Sequence, residues 1–177
     1  MRRGKEIIGL PIIDLSTGQR ITEVKDLVCD QQEQRIAALL LDKGNLLRKS
    51  KIIAWENIYS VGHDAVTISS TSVIQHLGKI PLTQGNGNRY LGKQVLTTSG
   101  QYLGRIDDVA LDPIDGRIVG CVLTDGIVGD FISGRAIIPL IDSAIMSAEN
   151  MIVPDEPVDL SYKWGVQSEG SEMSVVQ

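Results

Sequence analysis

The stretch that decides the fold is "SGQYLGRIDDVALDPIDGRIVGCVLTDG", residues 99–126, because an earlier part of the chain repeats it. A shift of 82 positions aligns it with "TGQRITEVKDLVCDQQEQRIAALLLDKG", residues 17–44. Eight of the 28 aligned positions are identical, and nearly every other apolar position is matched by an apolar residue. After a three-residue insertion, residues 137–153 align with residues 52–68 at a shift of 85. The chain is therefore a tandem duplication.

The segments outside the two copies differ from them in composition. The stretch between the copies is rich in Ser, Thr, Pro and Gly, which is typical of a linker, packed in part through Val73, Ile74 and Leu77. After Pro154 the chain is short of apolar residues, which is typical of a mobile tail. We predict a first unit at residues 1–70, a linker at 71–87, a second unit at 88–154 and a mostly disordered tail at 155–177.

Each unit has the pattern of a small all-β domain. The chain of 177 residues is 42% apolar but only 4% aromatic, so Ile, Val, Leu and Ala must fill the interior. Short apolar runs are bounded by turn signals every 8 to 12 residues, which indicates a small sandwich or barrel. "DPIDGR", residues 112–117, predicts a hairpin closed by a left-handed glycine. The paired acids Asp107–Asp108 break the strand alternation between Ile106 and Val109, which indicates a β-bulge.

The charge and hydropathy patterns exclude several classes of partner and location. The net charge is −5, with +1 on residues 1–78 and −6 on residues 79–177, and no basic stripe is present, so direct nucleic-acid binding is disfavoured. No apolar run approaches the roughly 18 residues that a transmembrane helix needs. The start, "MRRGKEIIGLPIID", is interrupted by Pro11 and has no signal-peptide cleavage site. We expect a cytoplasmic protein, with peripheral attachment to a membrane complex left open.

The acidic and nucleophilic residues do not form a catalytic pattern. Of the five aspartates in residues 99–126, two have an aspartate at the same place in the first copy, which favours a bulge residue and a turn residue over a metal site. "GDFISGRA", 129–136, has Arg135 and Ala136 where a phosphate-binding loop needs Lys and Ser or Thr. His63 and His76 are the chain's two histidines, and each cysteine aligns with a leucine of the other copy. We therefore predict no enzymatic activity, cofactor or metal.

Two short motifs remain as candidate partner-binding elements. "LLRKSK", residues 46–51, places Arg48, Lys49 and Lys51 at a hairpin tip, where they form either a solvated loop or a contact for an anionic lipid, an RNA or an acidic partner. "YKWG" holds Tyr162 and Trp164 in a polar tail. These aromatic residues are either a docking motif or packed back onto the second unit.

Both copies resemble the PRC-barrel domain, which is named for the cytoplasmic part of the photosynthetic reaction-centre H subunit and also forms the C-terminal half of the ribosome maturation factor RimM. The shared pattern is G-x-x-[ILV]-G, an acidic residue after the next apolar pair, G-R-[IV], I-P and a G-x-D-A-V ending. The first copy departs from it at Thr22, Gln34 and Ala54, and the second lacks the G-x-D-A-V ending. The positions that carry the resemblance, or are identical in both copies, are Gly18, Asp26, Asp30, Arg35, Gly44, Gly100, Asp108, Asp112, Arg117, Gly126 and Pro139.

The resemblance implies two tandem barrels of about six strands each, joined by a linker, that dock proteins and carry no shared catalytic residues. Our leading hypothesis is a non-catalytic adaptor or assembly factor with protein partners. The alternatives are an accessory subunit of a photosynthetic or other membrane complex, which rests on fold analogy alone, and a factor associated with RNA or ribosome maturation. The oligomeric state stays open.

Overall fold

A computed structural model describes residues 1–30, 33–44, 49–77, 90–124, 137–140 and 143–155. In the first unit and the segment that follows it, one helical turn, two 3-10 turns (Trp55–Asn57 and Thr71–Val73) and short strands alternate. The elements are β1 (Arg2–Arg3), α1 (Gly4–Ile7), β2 (Pro11–Asp14), β3 (Arg20–Glu23), β4 (Asp26–Asp30), β5 (Arg35–Asp42), β6 (Ser50–Ala54), β7 (Ile58–Val61), β8 (Val66–Ile68) and β9 (Gln75–Leu77).

The second unit consists of strands in the same order. They are β10 (Gln94–Thr97), β11 (Tyr102–Leu111), β12 (Ile118–Thr124), β13 (Ile137–Pro139), β14 (Ile145–Met146) and β15 (Asn150–Val153).

Strand pairing follows the sequence repeat residue by residue. Asp26 lies opposite Leu40 between β4 and β5, and Asp108 lies opposite Val122 between β11 and β12. Each residue of the second pair is therefore 82 positions after its counterpart in the first pair. Across the next pair of strands, Ala38 lies opposite Ala54 in the first unit, and Gly120 lies opposite Pro139 in the second. The predicted tandem all-β fold is confirmed.

The two units differ where the alternation breaks. In the first unit, β3 and β4 are separate strands, in sheets ordered β3-β2-β8-β7 and β4-β5-β6-β9. In the second unit, β11 is continuous and connects the whole path β13-β12-β11-β10-β15-β14. Its register shifts between Ile106 and Asp108, so Asp107 is the extra residue of a β-bulge.

The described residues of the two units bury a common core. One cluster of fully or nearly buried side chains runs through both, so the units are packed against each other. Since small domains bury a smaller share of their surface than large ones, a shared core adds burial that neither unit has alone. The cluster includes Ile7, Ile36, Leu39, Ile53 and Trp55 from the first unit and Val95, Ile106, Leu111, Cys121 and Val153 from the second.

Two equivalent hairpin turns join the units. The Ile36 N–H donates to the Gly116 carbonyl at 2.8 Å, and the Ile118 N–H donates to the Gln34 carbonyl at 2.9 Å. Positions 36 and 118 are equivalent in the repeat, as are 34 and 116, so the two bonds are reciprocal. Gly116 has φ +75°, and Gln34 adopts the same left-handed region at φ 50°. The units are therefore joined with local twofold pseudosymmetry.

The N-terminal residues lie on the second unit. β1 pairs with β11, with Arg3 opposite Ala110. The Lys5 N–H donates to both carboxylate oxygens of Asp108 at 3.2 Å, and the Val109 N–H donates to Asp108 Oδ1 at 2.8 Å. Burial raises the pKa of Asp108, and the hydrogen bonds from Val109 and Lys5 oppose that rise. This carboxylate therefore holds α1 onto the second unit.

The segment predicted as a linker contains ordered structure. The 3-10 turn Thr71–Val73 leads into β9, which extends the sheet of the first unit by pairing with β6. Residues 78–89 lie outside the described residues. The proposed boundaries of the units and the tail stay a prediction.

We expect Gly116→Ala to destabilise the protein by about 2–4 kcal/mol, because a β-carbon costs energy at positive φ and also overpacks the junction. That atom would lie 2.9 Å from the Ile36 carbonyl oxygen and 2.9 Å from the Trp55 ring. The matched control is Gly100→Ala, at φ +86° with nothing within 4 Å of the added carbon, where only the backbone cost of about 1–2 kcal/mol applies. Urea unfolding measures both, and equal losses would contradict the packing role of Gly116.

We expect Asp108→Ala to lower the free energy of unfolding by about 1–3 kcal/mol, because the Lys5 and Val109 N–H groups lose their shared acceptor. The control is Asp115→Ala, which removes a half-exposed carboxylate that accepts from the Arg117 N–H at 2.9 Å. Urea denaturation should show a smaller loss for the control. A loss for Asp108→Ala no larger than for the control would contradict the assignment.

Candidate functional site

The glycines singled out in the sequence lie at turns. Gly18, Gly44 and Gly100 have φ values of +71°, +63° and +86°, which a residue with a β-carbon adopts only at a cost. Gly126 lies outside the described residues.

The aspartates singled out in the sequence bond to nearby backbone. Asp26 accepts from the Leu27 N–H at 2.8 Å, as Asp108 accepts from Val109. Asp30 and Asp112 start the equivalent hairpin turns, where they accept from the Glu33 N–H at 3.1 Å and the Ile114 N–H at 2.9 Å. These carboxylates organise bulges and turns.

Three other positions singled out in the sequence lie at strands and at the junction. Arg35 and Arg117 form an antiparallel bridge between the units. Pro139 is exposed on β13, opposite Gly120.

Of the candidate partner-binding residues, Arg48, Tyr162 and Trp164 lie outside the described residues. Lys49 and Lys51 are both exposed. Lys51 lies on β6 and lines a cavity of about 790 Å³ on the first barrel. We call this cavity the cationic groove and define it by three apolar side chains, Ile21, Leu41 and Ile74, and three lysines, Lys25, Lys43 and Lys51.

Neighbouring strands bring the groove together from distant parts of the sequence. Lys51 pairs with Asp42 on β5 and with His76 on β9, and cross-strand partners project from the same face of a sheet. Lys25 follows β3, and Lys43 follows β5. Asp42 and His76 therefore also line the groove.

The groove carries an excess of positive charge. Lys25 Nζ lies 2.6 Å from Glu23 Oε1, and Lys43 Nζ lies 4.0 Å from Asp26 Oδ2. These lysine side chains are 50% and 66% exposed, so both pairs are weak in water. Lys51 forms no ion pair with a described residue. All three ammonium groups are therefore accessible to an anionic ligand.

A buried carboxylate fixes the wall of the groove that comes from the predicted linker. Asp14 is 2% exposed. Its Oδ2 accepts from the Thr71 N–H at 3.1 Å, and its Oδ1 accepts from the Ser16 hydroxyl and N–H at 2.6 and 2.7 Å. The Ser16 hydroxyl and the backbone N–H groups hold the pKa of Asp14 below its usual value, against the effect of burial. Thr71, which lines the groove, is thereby tied to β2.

The sequence contains one signal for this site. Lys25 and Lys43 align with Asp107 and Asp125 of the second copy, so the charge reverses at equivalent positions. Reading these differences together with Lys51 would have indicated a cationic face on one barrel. The contribution of His76 had no such signal, because it depends on β9 pairing with β6.

The thiols are poorly suited to nucleophilic chemistry. Burial raises the pKa of Cys121 to about 12. Burial, with a contribution from Asp26, raises that of Cys29 to about 11. Both cysteines are free, and both pack against the shared core. Among the described residues, no group of three or more His, Cys, Asp and Glu side chains could hold a metal ion.

The arrangement thus defines a tandem small-barrel protein with a lysine-lined groove, and comparison with known proteins identifies its family. The PRC-barrel domain matches residues 1–75 and again residues 84–160. The chain belongs to the PRC-barrel family. PRC barrels are protein-interaction or accessory modules, and the family is generally non-catalytic. No curated protein matches the chain. Within the described part of the chain, no helix has the length and hydropathy to span a bilayer.

We expect Asp14→Asn to be less stable than the wild type at pH 7, with a difference that shrinks in acid. Because the folded protein holds the pKa of Asp14 below its unfolded value of about 3.9, its stabilisation is present above that pH and is lost as pH falls through the folded pKa. Urea unfolding from pH 7 to about pH 3 measures this, with Asp64→Asn, a 93% exposed carboxylate, as control. A difference independent of pH would contradict the prediction.

Proposed function

We propose that this protein is a non-catalytic adaptor or assembly factor that holds protein partners on two fused PRC barrels. The observation that carries this proposal is the junction, in which reciprocal backbone hydrogen bonds and a shared core join the barrels. Two modules packed in this way present their surfaces in a fixed relation. Such a relation suits a protein that positions one partner against another.

The two barrels differ in charge, which supports unlike partners. Residues 1–70 carry a net charge of +1 and residues 88–154 carry −3. The cationic groove lies on the first barrel, and the position equivalent to Lys25 is Asp107 on the second. Surfaces of opposite charge select different partners, because like charges across an interface are unfavourable.

The adaptor role does not require catalysis. The described aspartates of the repeat are engaged by nearby backbone, and both thiols have raised pKa values, so these groups support structure. We place the protein in the cytoplasm, where it contacts a large or peripheral membrane complex through its partners. The proposed tail, residues 155–177 with Tyr162 and Trp164, is a second docking element.

Cross-linking in the source cells at endogenous expression, followed by affinity purification and mass spectrometry, tests the adaptor role. We expect specific protein partners whose recovery survives nuclease treatment. A variant truncated after Asp155 tests the tail separately and keeps the hydrogen bonds of Asp155 to Thr98 and Ser99. Recovery of no protein above a mock purification would overturn the proposal, and nuclease-sensitive recovery would favour the RNA alternative. Salt-sensitive membrane fractionation would favour the membrane-complex alternative.

A further inference from the structure

We propose that the cationic groove binds an acidic peptide segment of a partner protein, with its carboxylates on the lysines and apolar side chains against Ile21 and Ile74. This inference rests on the adaptor role and names the surface and the chemistry of one partner.

The size and lining of the groove fit such a segment. Its volume of about 790 Å³ lies within the range of ligand-binding clefts, which is roughly 300–1,000 Å³. Ile21 and Ile74 are half-buried, so part of their apolar surface remains available for contact. A ligand that combines acidic and apolar side chains would satisfy both parts of the lining.

The charges of the groove select an anion. The described lining has three lysines and one carboxylate, Asp42, whose Oδ1 already accepts from the Gly44 N–H at 3.0 Å. Glu23 and Asp26 pair with Lys25 and Lys43 from outside the lining, and an anionic ligand would compete with these exposed pairs. A bound carboxylate would replace water around exposed lysines, of which Lys25 and Lys43 are 50% and 66% exposed, so little desolvation opposes binding. The groove is therefore complementary to two or three acidic side chains.

A short acidic peptide fits better than a nucleic acid. The cationic groove supplies lysines as point charges, and its described lining residues include no arginine, which could bind a phosphate with two hydrogen bonds. The protein as a whole carries a net charge of −5, which repels a long polyanion beyond the groove. A segment of a few residues engages the lysines and avoids most of that repulsion.

The sequence of the second copy lacks the three lysines of the groove. Lys25, Lys43 and Lys51 align with Asp107, Asp125 and Ala136, so an acidic ligand is repelled there. The proposal therefore requires one peptide per chain.

Fluorescence anisotropy with a labelled 12-residue peptide of glutamate, aspartate and leucine, titrated with the full chain, tests the proposal. We expect saturable 1:1 binding that weakens with added salt, and no comparable binding of a peptide carrying Gln and Asn in place of the acids. Lys43→Gln/Lys51→Gln should weaken binding about tenfold, whereas Lys43→Arg/Lys51→Arg should stay within about twofold. Lys5→Gln/Arg105→Gln, at two exposed side chains outside the groove lining, is the control with the same change in net charge and should bind as the wild type.

Amide chemical-shift mapping on the wild-type chain provides a second measurement that needs no variant. Shifts confined to Ile21, Thr71 and His76 would support the groove, and shifts elsewhere would overturn it. Equal weakening of binding in the charge-matched control variant outside the groove would also overturn it. So would equal binding of the Gln/Asn peptide. Tighter binding of a 12-nucleotide RNA or of anionic vesicles would overturn the assignment of a peptide.

The failure of this inference is distinguishable from that of the adaptor role. If partners recovered from cells bind Lys43→Gln/Lys51→Gln as they bind the wild type, the groove proposal fails and the adaptor role stands. If no partner is recovered from cells, the adaptor role fails whatever the peptide titration shows.

Discussion

The structure depends on two hydrogen bonds between hairpin turns that are 82 positions apart in the sequence. The Ile36 N–H and the Gly116 carbonyl, and their equivalents at Ile118 and Gln34, align the barrels so that both bury side chains in one core. Each hydrogen bond makes a net contribution to stability of only about 1 kcal/mol. These two bonds therefore fix the orientation of the barrels, while burial of apolar surface supplies most of the stability. The requirement for a left-handed residue at the tip of each hairpin follows from this geometry.

Much of the fold could be predicted because the spacing of apolar residues, turn glycines and paired aspartates shows the duplication. Strand pairing is local, so a repeat of 82 positions in sequence becomes a repeat of cross-strand partners. The junction could not be predicted, because the neighbour of Gly116 is the Trp55 ring, and nothing in either local sequence marks that contact. The groove was missed for a related reason: its wall includes Thr71 and His76, in a segment whose composition indicates a linker.

The structure shows the effect of single residues that differ between the two copies. Gln34 stands where the second copy has Gly116, yet it adopts the same left-handed backbone region, at the cost of local strain. Asp14, which lies opposite Ile68, takes the place in the strand pairing that Thr97, opposite Val153, has in the second unit, and its carboxylate accepts from the Thr71 N–H. The copies thus share a framework and differ in the loops and charges attached to it.

Covalent fusion of the two barrels has a consequence for how they diverge. In a dimer of identical chains, every substitution appears twice, and a surface suited to one ligand is necessarily duplicated on the other side. Here one half has lysines where the other has aspartates, within a pseudosymmetric frame. The two halves of the molecule consequently differ in surface charge, and a complex that formed on it would be asymmetric.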